Sequence, residues 1–585
     1  MLTPTPRTLF ALIALLALLA SPTRAQRPVE AGDWPVPNLD AGSSRFSPLN
    51  QINATTVGTL GVKWQITLPK PASAGSGTPI VVGGIMYVGS GSTLAAVDGV
   101  TGKLLWSKAA REDFPGGGRG VVYGDGRIYV PGRSTIAAFN AETGEPFEAF
   151  GARGFLNPAR AALDFKDPGK YAPDVNPESL GYSMASASTY VAGTLYVPLA
   201  SSEGLVPGGL LVAVDGATGK VKWAFRTIPQ SPKDDGWDLI KDTWSGPDRL
   251  GGGVWSPPSV DTALGIVYAN VSNPSPNYDG STRKGSNLFT NSIVALDINT
   301  GKLKWHFQAI HHDIWDWDLV TGPTLFDVTI KGQTVKGVAS LAKTCYVYAL
   351  NRETGAPIFP IVEMAVPTKS DVPNEEVYPT QPTPFTARYV PQSPFCATFP
   401  PYITDPKLIA MSRPMFTPPS SKEPLLIAPG ALGGPNRGPS SFSPRTGLLY
   451  ITGKNNGMTL QTKPLTGPIP PGQGNPGHFQ SFIEWKMTTE GATQNIAAYD
   501  PATGELAWVT EFAGTTSAGN LVTAGDLVFE AIGRDLHVLD ARTGKKLAQV
   551  NIKISAASTP MTYQAGGKQF VAIVSGSNIV ALGLP

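Results

Sequence analysis

Residues 293–305 read IVALDINTGKLKW, and the fold follows from what this stretch does and how often it returns. An alternating apolar strand reaches Asp297, four residues turn, Gly301 closes the turn, and a second strand runs to Trp305. Asp or Asn at the first turn position bonds the backbone two residues on, and Gly accepts the positive φ that ends such a turn. Two short strands joined by that chemistry make a β-hairpin.

The pattern recurs as LAAVDGVTGKLLW at Asp98, IAAFNAETGEPF at Asn140, LVAVDGATGKVKW at Asp215, YVYALNRETGAPIF at Asn351, IAAYDPATGELAW at Asp500 and LHVLDARTGKKL at Asp540. In all seven copies a Gly stands four residues after the Asp or Asn, and in four of them a Trp (Trp106, Trp223, Trp305, Trp508) stands eight after. An eighth copy is split between the last residues, NIVALGLP, and VGTLGVKWQITL around Trp64. Four-strand blades of about 40 residues match the spacing from Asp98 to Asn140 and from Asp500 to Asp540. The reading is all-β: an eight-bladed β-propeller of tryptophan-docking-type repeats, its ring closed by the N- and C-terminal strands. In an open β-solenoid the split copy has no role.

One propeller therefore accounts for residues 26–585 despite a length that alone suggests several domains. Charged residues make up only 15%, against 65 Gly and 55 Pro, a composition of short strands and elaborate loops. The start, MLTPTPRTLFALIALLALLASPTRAQ, has Arg7, an apolar run from Leu9 to Ala20 and small residues up to Ala25. Such a run is too short to span a bilayer and reads as a secretory signal peptide over residues 1–25, so a periplasmic or secreted protein is expected. Removing it takes away Arg7 and Arg24 and moves the formal charge from +2 to 0, which gives no support for nucleic acid or an anionic membrane surface as partner. The two cysteines, Cys345 and Cys396, either pair in an oxidising compartment or stay apart as small buried hydrophobes. Without a C-x-x-C-H the chain carries no c-type haem of its own. Residues 33–62 read as a polar lead-in that wraps the outside. Sixteen prolines between Pro357 and Pro424 mark an ordered surface excursion rather than central strand.

Several inter-repeat segments carry a more specific resemblance. DWPVPNLDAGSSRFSPLNQIN (33–53), GGGVWSPPSVDTALGIVYANVSNPSPN (251–277), NLFTNSIVALD (287–297), HHDIWDWD (311–318), SAGNLVTAGDLVFEA (517–531) and STPMTYQAGGKQFVAIVSG (558–576) resemble the periplasmic pyrroloquinoline quinone (PQQ)-dependent alcohol and aldose dehydrogenases. The resemblance implies an oxidoreductase that oxidises an alcohol, polyol or sugar by hydride transfer to PQQ held with Ca²⁺ on the propeller axis. It implies a separate electron acceptor such as a cytochrome or quinone.

It also implies roles, each beside a plainer reading. Trp255, after three glycines that let a backbone approach a flat ligand, matches the family's Trp against the quinone ring; otherwise it is a wedge between blades. Glu203 and Asn273 offer the hard oxygens Ca²⁺ takes; alone they read as a solvated Glu and a turn Asn. Arg119 and Lys343 match cationic contacts to a tricarboxylate. Asn436 sits where a further cofactor-contacting loop is expected, with Arg437 in place of the usual aromatic beside it. The family's catalytic aspartate lies in a loop reading roughly R-P-G-D-N; here the loop is RKGSN, with Ser286 at that position, and Asp279 in the same loop is a candidate substitute or a turn residue. A serine hydroxyl is a poor base without an activating neighbour. Leu288 stands where a lanthanide site would add a carboxylate. The competing expectations are a propeller that binds PQQ or serves as a scaffold without turnover, favoured by Ser286, and an outer-membrane assembly factor, disfavoured by the missing lipid-attachment Cys.

Overall fold

The Asp297 turn is held as its sequence requires. Asp297 Oδ1 accepts from Asn299 N (3.1 Å), Thr300 N (2.9 Å) and Thr300 Oγ1 (2.9 Å), and Gly301, at φ 67°, donates to the Asp297 carbonyl. The same turn bonds recur at Asp98, Asp215 and Asp540. The hairpin supplies the third and fourth strands of an antiparallel sheet built in chain order from Ser259–Asp261, Ile266–Val271, Ser292–Asp297 and Leu303–Gln308, with Ala295 opposite Trp305.

The structure, a computed structural model, describes residues 29–585 apart from 74, 91–92, 110–118, 200–205, 247–248, 400–402 and 464–485; the signal-like segment lies outside the described residues. Their α-helices are short, Pro158–Lys166, Trp237–Ile240 and Pro406–Met411, and the rest of the regular structure is strand or 3-10 turn, so the molecule is all-β. Among the described residues, seven further sheets of three to five strands contain Ile80–Val82, Val122–Gly124, Thr189–Val191, Thr324–Ile330, Ser441–Ser443, Asn520–Thr523 and Met561–Ala565. The sheet at Met561 takes its outermost strand from the other end of the chain: Gly61–Thr67 pairs antiparallel with Asn578–Gly583.

Inner strands such as Thr194–Leu199 and Ile266–Val271 are buried along their whole length. They lie between neighbouring sheets, which is why they read as continuous apolar runs. The repeat tryptophans join one sheet to the next. A Cβ at Gly301 would come within 2.5 Å of the Trp223 ring, at Gly355 within 2.7 Å of Trp305, at Gly544 within 2.5 Å of Trp508 and at Gly102 within 2.5 Å of Trp64. Each of these glycines thus gives its turn the positive φ and leaves room for the preceding sheet's indole. The indole N–H then donates to the docked turn, as from Trp223 to Ile298 O (2.9 Å). Where the repeat lacks a Trp, Phe359 fills the place against Gly504.

One expectation changes, and the choice left open for the cysteines is decided. The lead-in does not wrap the outside: Trp34 is fully buried and bridges Val81, and Phe46–Ser47 adds a parallel strand to Asn520–Thr523. Arg45, also fully buried, donates to the carbonyls of Asn520, Pro37 and Pro560 and lies 5.0 Å from the Trp34 ring. Backbone oxygens and an indole face replace the water that the polar composition seemed to demand. The Pro-rich excursion holds only a two-stranded ribbon, Ile361–Ala365 with Thr380–Pro384, and the short helix at Pro406. It is stitched down by a Cys345–Cys396 disulfide, Cα–Cα 5.6 Å.

Candidate active site

Immediately before Ser259–Asp261, and before the strand named above for each of the seven further sheets, the chain contributes to the wall of one cavity. Its lining includes Gly77 and Thr78, Arg119, Ser186, Trp255, Thr321, Arg437, Ser517 and Thr559, one segment per sheet, with Pro37 and Asn38 of the lead-in. The cavity has about 660 Å³ of open space, solvent at its mouth included. Successive segments meet backbone to backbone. A Cβ at Gly77 would lie 2.3 Å from Gly120 N, at Gly322 2.6 Å from Pro257 O, and at Gly438 2.2 Å from Ala518 O.

The glycines before Trp255 take part in this packing. Gly251 N donates to Val206 O (2.9 Å), Gly252 N to Asn273 O (2.9 Å) and Val254 N to Leu199 O (3.1 Å). Gly251 has φ 94°, and a Cβ there would lie 2.6 Å from Ser275 N. The triple-glycine segment is therefore threaded between Leu199 and Val206 on one side and Asn273 on the other. Glu203 itself lies outside the described residues.

Trp255 is 8% exposed, lines the cavity with its ring, and has the Arg119 guanidinium 5.8 Å from its centroid. Its indole N–H donates to Asp318 Oδ2 at 2.9 Å. Lys343 Nζ lies 2.8 Å from Asp318 Oδ1 and 3.1 Å from Asp316 Oδ2. Burial opposes the charge on Lys343, but Asp316 and Asp318 outweigh it and raise its pKa. Burial raises the Asp318 pKa against the pull of Lys343. The expected cationic contact is thus already committed to two carboxylates, and Asp316 and Asp318, quoted within HHDIWDWD without a role, are the residues sequence reasoning passed over.

The Asn436 loop packs on Lys343. A Cβ at Gly434 would come within 2.8 Å of the Lys343 backbone, and Gly434 exchanges backbone bonds with Lys454. Asn436 is 8% exposed and donates to Ala431 O at 3.1 Å, while its neighbour Arg437 reaches the cavity. Lys454 is also 8% exposed and donates to Ser517 Oγ at 2.9 Å. Its pKa is lowered to about 8, by burial first and then by Arg437 and Lys343. Burial lowers the pKa of Arg437 as well. Lys454 sits inside the strand Leu448–Leu460, and nothing in its sequence pattern separates it from an ordinary strand lysine.

The structure does not bring Ser286 and Asp279 to this cavity. Ser286 is half-buried, and its carbonyl accepts from Gln308 Nε2 (2.7 Å) and His312 N (3.2 Å). Asp279 is fully buried: Oδ1 accepts from Ser281 N (2.9 Å), the turn role, and Oδ2 has no hydrogen-bond partner among the described residues. Burial raises its pKa, with Glu375 adding to the rise and Arg283 opposing it. Next to it Glu375 accepts from Gly280 N (2.7 Å) and lies 2.7 Å from His312 Nε2; His312 Nδ1 donates to Gly285 O (2.8 Å). Asn273 is fully buried, donates to Pro274 O, and leaves Oδ1 without a partner among the described residues.

A cationic, aromatic-floored cavity with hydroxyls around it and an orphaned amide oxygen nearby fits a flat polycarboxylate and a hard cation. The family model of the PQQ glucose/ethanol/alcohol dehydrogenase β-propeller domain matches residues 34–473 and 509–571. The chain is 31% identical over 594 residues to the dehydrogenase subunit of the alcohol dehydrogenase (quinone) of Komagataeibacter europaeus, spanning 93% of this chain and 71% of that one. It is 28% identical over 646 residues to the quinoprotein glucose dehydrogenase of Escherichia coli (strain K12), spanning 96% and 78%. In fold it is similar to the quinohemoprotein alcohol dehydrogenase of Comamonas testosteroni, with a TM-score of 0.73 at 24% identity over 96% of this chain and 83% of that one. The chain belongs to the PQQ-dependent dehydrogenase family and is built on that family's β-propeller.

Proposed function

We propose that this protein is a quinoprotein dehydrogenase acting on the CH–OH group of an alcohol, polyol or sugar, with PQQ and Ca²⁺ held at the axis of an eight-bladed ring closed by Gly61–Thr67 and Asn578–Gly583. The observation that carries the reading is the axial cavity: Trp255 and Arg119 in its wall, Arg437 beside them, and no carboxylate among the described residues that line it. When bound, the quinone supplies a two-electron oxidant for the carbinol carbon. The chain's own part is binding and orientation. Trp255 offers a flat face whose edge is fixed by Asp318, so the indole cannot rotate without breaking a buried hydrogen bond. Arg119 supplies a fork for a carboxylate. Lys343, pinned between Asp316 and Asp318, presents a positive charge that stays protonated at neutral pH. Asn273 Oδ1 is the oxygen in want of a cation, and Glu203 is its expected companion. Asn436 braces the loop that carries Arg437.

Electrons leave to a separate acceptor, a cytochrome or quinone, since the chain has no haem-attachment motif, and export follows from the signal-like start. No helix among the described residues is long and apolar enough to cross a membrane. Ser286 favours a second reading, in which the cofactor binds but turnover is slow, because no carboxylate occupies the position where the proton acceptor is expected. The test is a titration of the mature protein with PQQ, with Ca²⁺ and then with chelator, followed by Trp fluorescence. The expected outcome is saturable quenching that chelator reverses; no binding under either condition would remove the quinoprotein reading. A dye-linked assay on the loaded protein then separates the two readings.

A further inference from the structure

We propose that Arg437 and Lys454 form a carboxylate clamp in the axial cavity, additional to Arg119. Identification of its ligand rests on the quinone reading; existence of the clamp does not. Arg437 and Ser517 both line the cavity, and they come from neighbouring sheets. Lys454 Nζ is bound to that Ser517 hydroxyl at 2.9 Å, and the Lys454 backbone is paired with Gly434, three residues before Arg437. The pairing of Gly434 with Lys454 thus holds the strand that carries the ammonium beside the loop that carries the guanidinium, and the Ser517 hydroxyl links that ammonium to the cavity wall.

Neither charge is matched. Lys343 has Asp316 and Asp318 within 3.1 Å, whereas Arg437 and Lys454 have no carboxylate within ion-pair distance among the described residues. Among the described residues Lys454 is held in place by a neutral hydroxyl, with Arg437 and Lys343 as its charged neighbours. Two cations side by side without a counter-ion are unfavourable, and an anion seated between them relieves the repulsion and makes charge-assisted hydrogen bonds. A carboxylate fits that demand: the Arg fork takes two oxygens and the ammonium acts as a point charge beside it. The Lys454 pKa of about 8 supports the geometry, since it marks an ammonium that lacks its partner. Seating an anion raises that pKa, so binding near pH 8 takes up protons from solution.

The experiment is isothermal titration of the mature full-length protein with PQQ in the presence of Ca²⁺, and separately with citrate as a plain tricarboxylate. Each is run at pH 8 to 9 in two buffers of different ionisation enthalpy, for wild type, Arg437→Gln, Arg437→Lys and Lys454→Met. Arg437→Gln and Lys454→Met are expected to weaken PQQ binding by about 10- to 100-fold each, the range of a lost charge-assisted bond, and Arg437→Lys by less. Wild type takes up protons on binding, and Lys454→Met loses most of that uptake. Without ligand, the thermal midpoint of Lys454→Met rises, because an unmatched buried charge has gone; a structural lysine would leave it lower. Unaltered PQQ affinity in Arg437→Gln and Lys454→Met, or undiminished proton uptake in Lys454→Met, overturns the clamp while leaving the quinone reading intact. Citrate binding that depends on Arg437 and Lys454 in a protein that ignores PQQ keeps the clamp and removes the quinone. Binding of neither ligand overturns both.

Discussion

Ser286 is the side chain at which the proposed reading divides binding from turnover. It occupies the place where the family resemblance expects an aspartate, and its carbonyl is held by Gln308 and His312, so the backbone there is already fixed. A positioned general base contributes about 10²- to 10⁴-fold. On the family resemblance Ser286→Asp is expected to raise dye-linked turnover by about 10²-fold with unchanged cofactor affinity, measured by steady-state kinetics beside a PQQ titration; on the placement of Ser286 outside the cavity wall no gain is expected, so a variant that binds equally and turns over no faster removes this account of the position. At this scale the sequence was uneven. Trp255 and Arg119 were readable because their flanking segments are distinctive, and the structure sets them together. Asp318 was not, because its part is played through space, as acceptor for an indole 63 residues away. Lys454 was not, because an unmatched charge inside a strand looks the same in sequence as a solvated one. The cysteines were undecidable because a separation of 51 residues says nothing about distance.

Among the elements, the hairpin turn carries most of the assembly. Gly301 has two duties, a φ of 67° and a missing side chain where the Trp223 ring sits. Gly332 has only the first, with φ 79° and open space around its Cβ position. Gly301→Ala is expected to destabilise by about 2–4 kcal/mol, from left-handed backbone plus overpacking, and Gly332→Ala by about 1–2 kcal/mol from the backbone alone. Urea unfolding of the two variants checks the difference, and equal values would mean that docking adds nothing. The ribbon of the Pro-rich excursion is fastened differently. Glu375 is nearly unexposed and faces Asp279, Arg283 and His312. Burial alone would raise its pKa, but the His312 hydrogen bond and charge, Arg283 and the Gly280 amide hold it below 4.5. A depressed carboxylate stabilises the folded state above its unfolded value and loses that contribution as pH falls through the folded one. The protection factor of the Gly280 amide, its exchange rate corrected for the intrinsic pH dependence, should thus be high near neutral pH and fall as the pH is lowered through the acidic range; in Glu375→Gln that fall should vanish. The excursion was legible as an excursion from its prolines, but its anchor on the Ser286 loop was not, since Glu375 and Gly280 lie 95 residues apart.

For the whole molecule, the period of the repeat was the strongest signal in the chain, because seven hairpins of one design can bury their edges only against one another. What the period did not reveal was the middle. The segments before each first strand share no motif, being Gly-Thr, Arg-Gly, Trp-Ser-Pro and Arg-Gly-Pro by turns, yet each supplies its part of one cavity wall. A uniform frame thus leaves the lining of that cavity free to vary, and charge accumulates there without any trace in the overall balance of +2. The lead-in was misread for a related reason: of the three backbone carbonyls that satisfy Arg45, two lie 475 and 515 residues away.

The pairing of Thr67 with Asn578 spans 511 residues. At about 5–20 residues per second, synthesis leaves on the order of a minute between the appearance of the first strand of that sheet and its partner. During that interval Gly61–Thr67 has an open edge, and Trp64 has only the Gly102 turn to rest on. The last few residues act as a late-arriving clasp, so a chain shortened by a handful of residues at its C-terminus loses the seam between its two ends, not merely a tail.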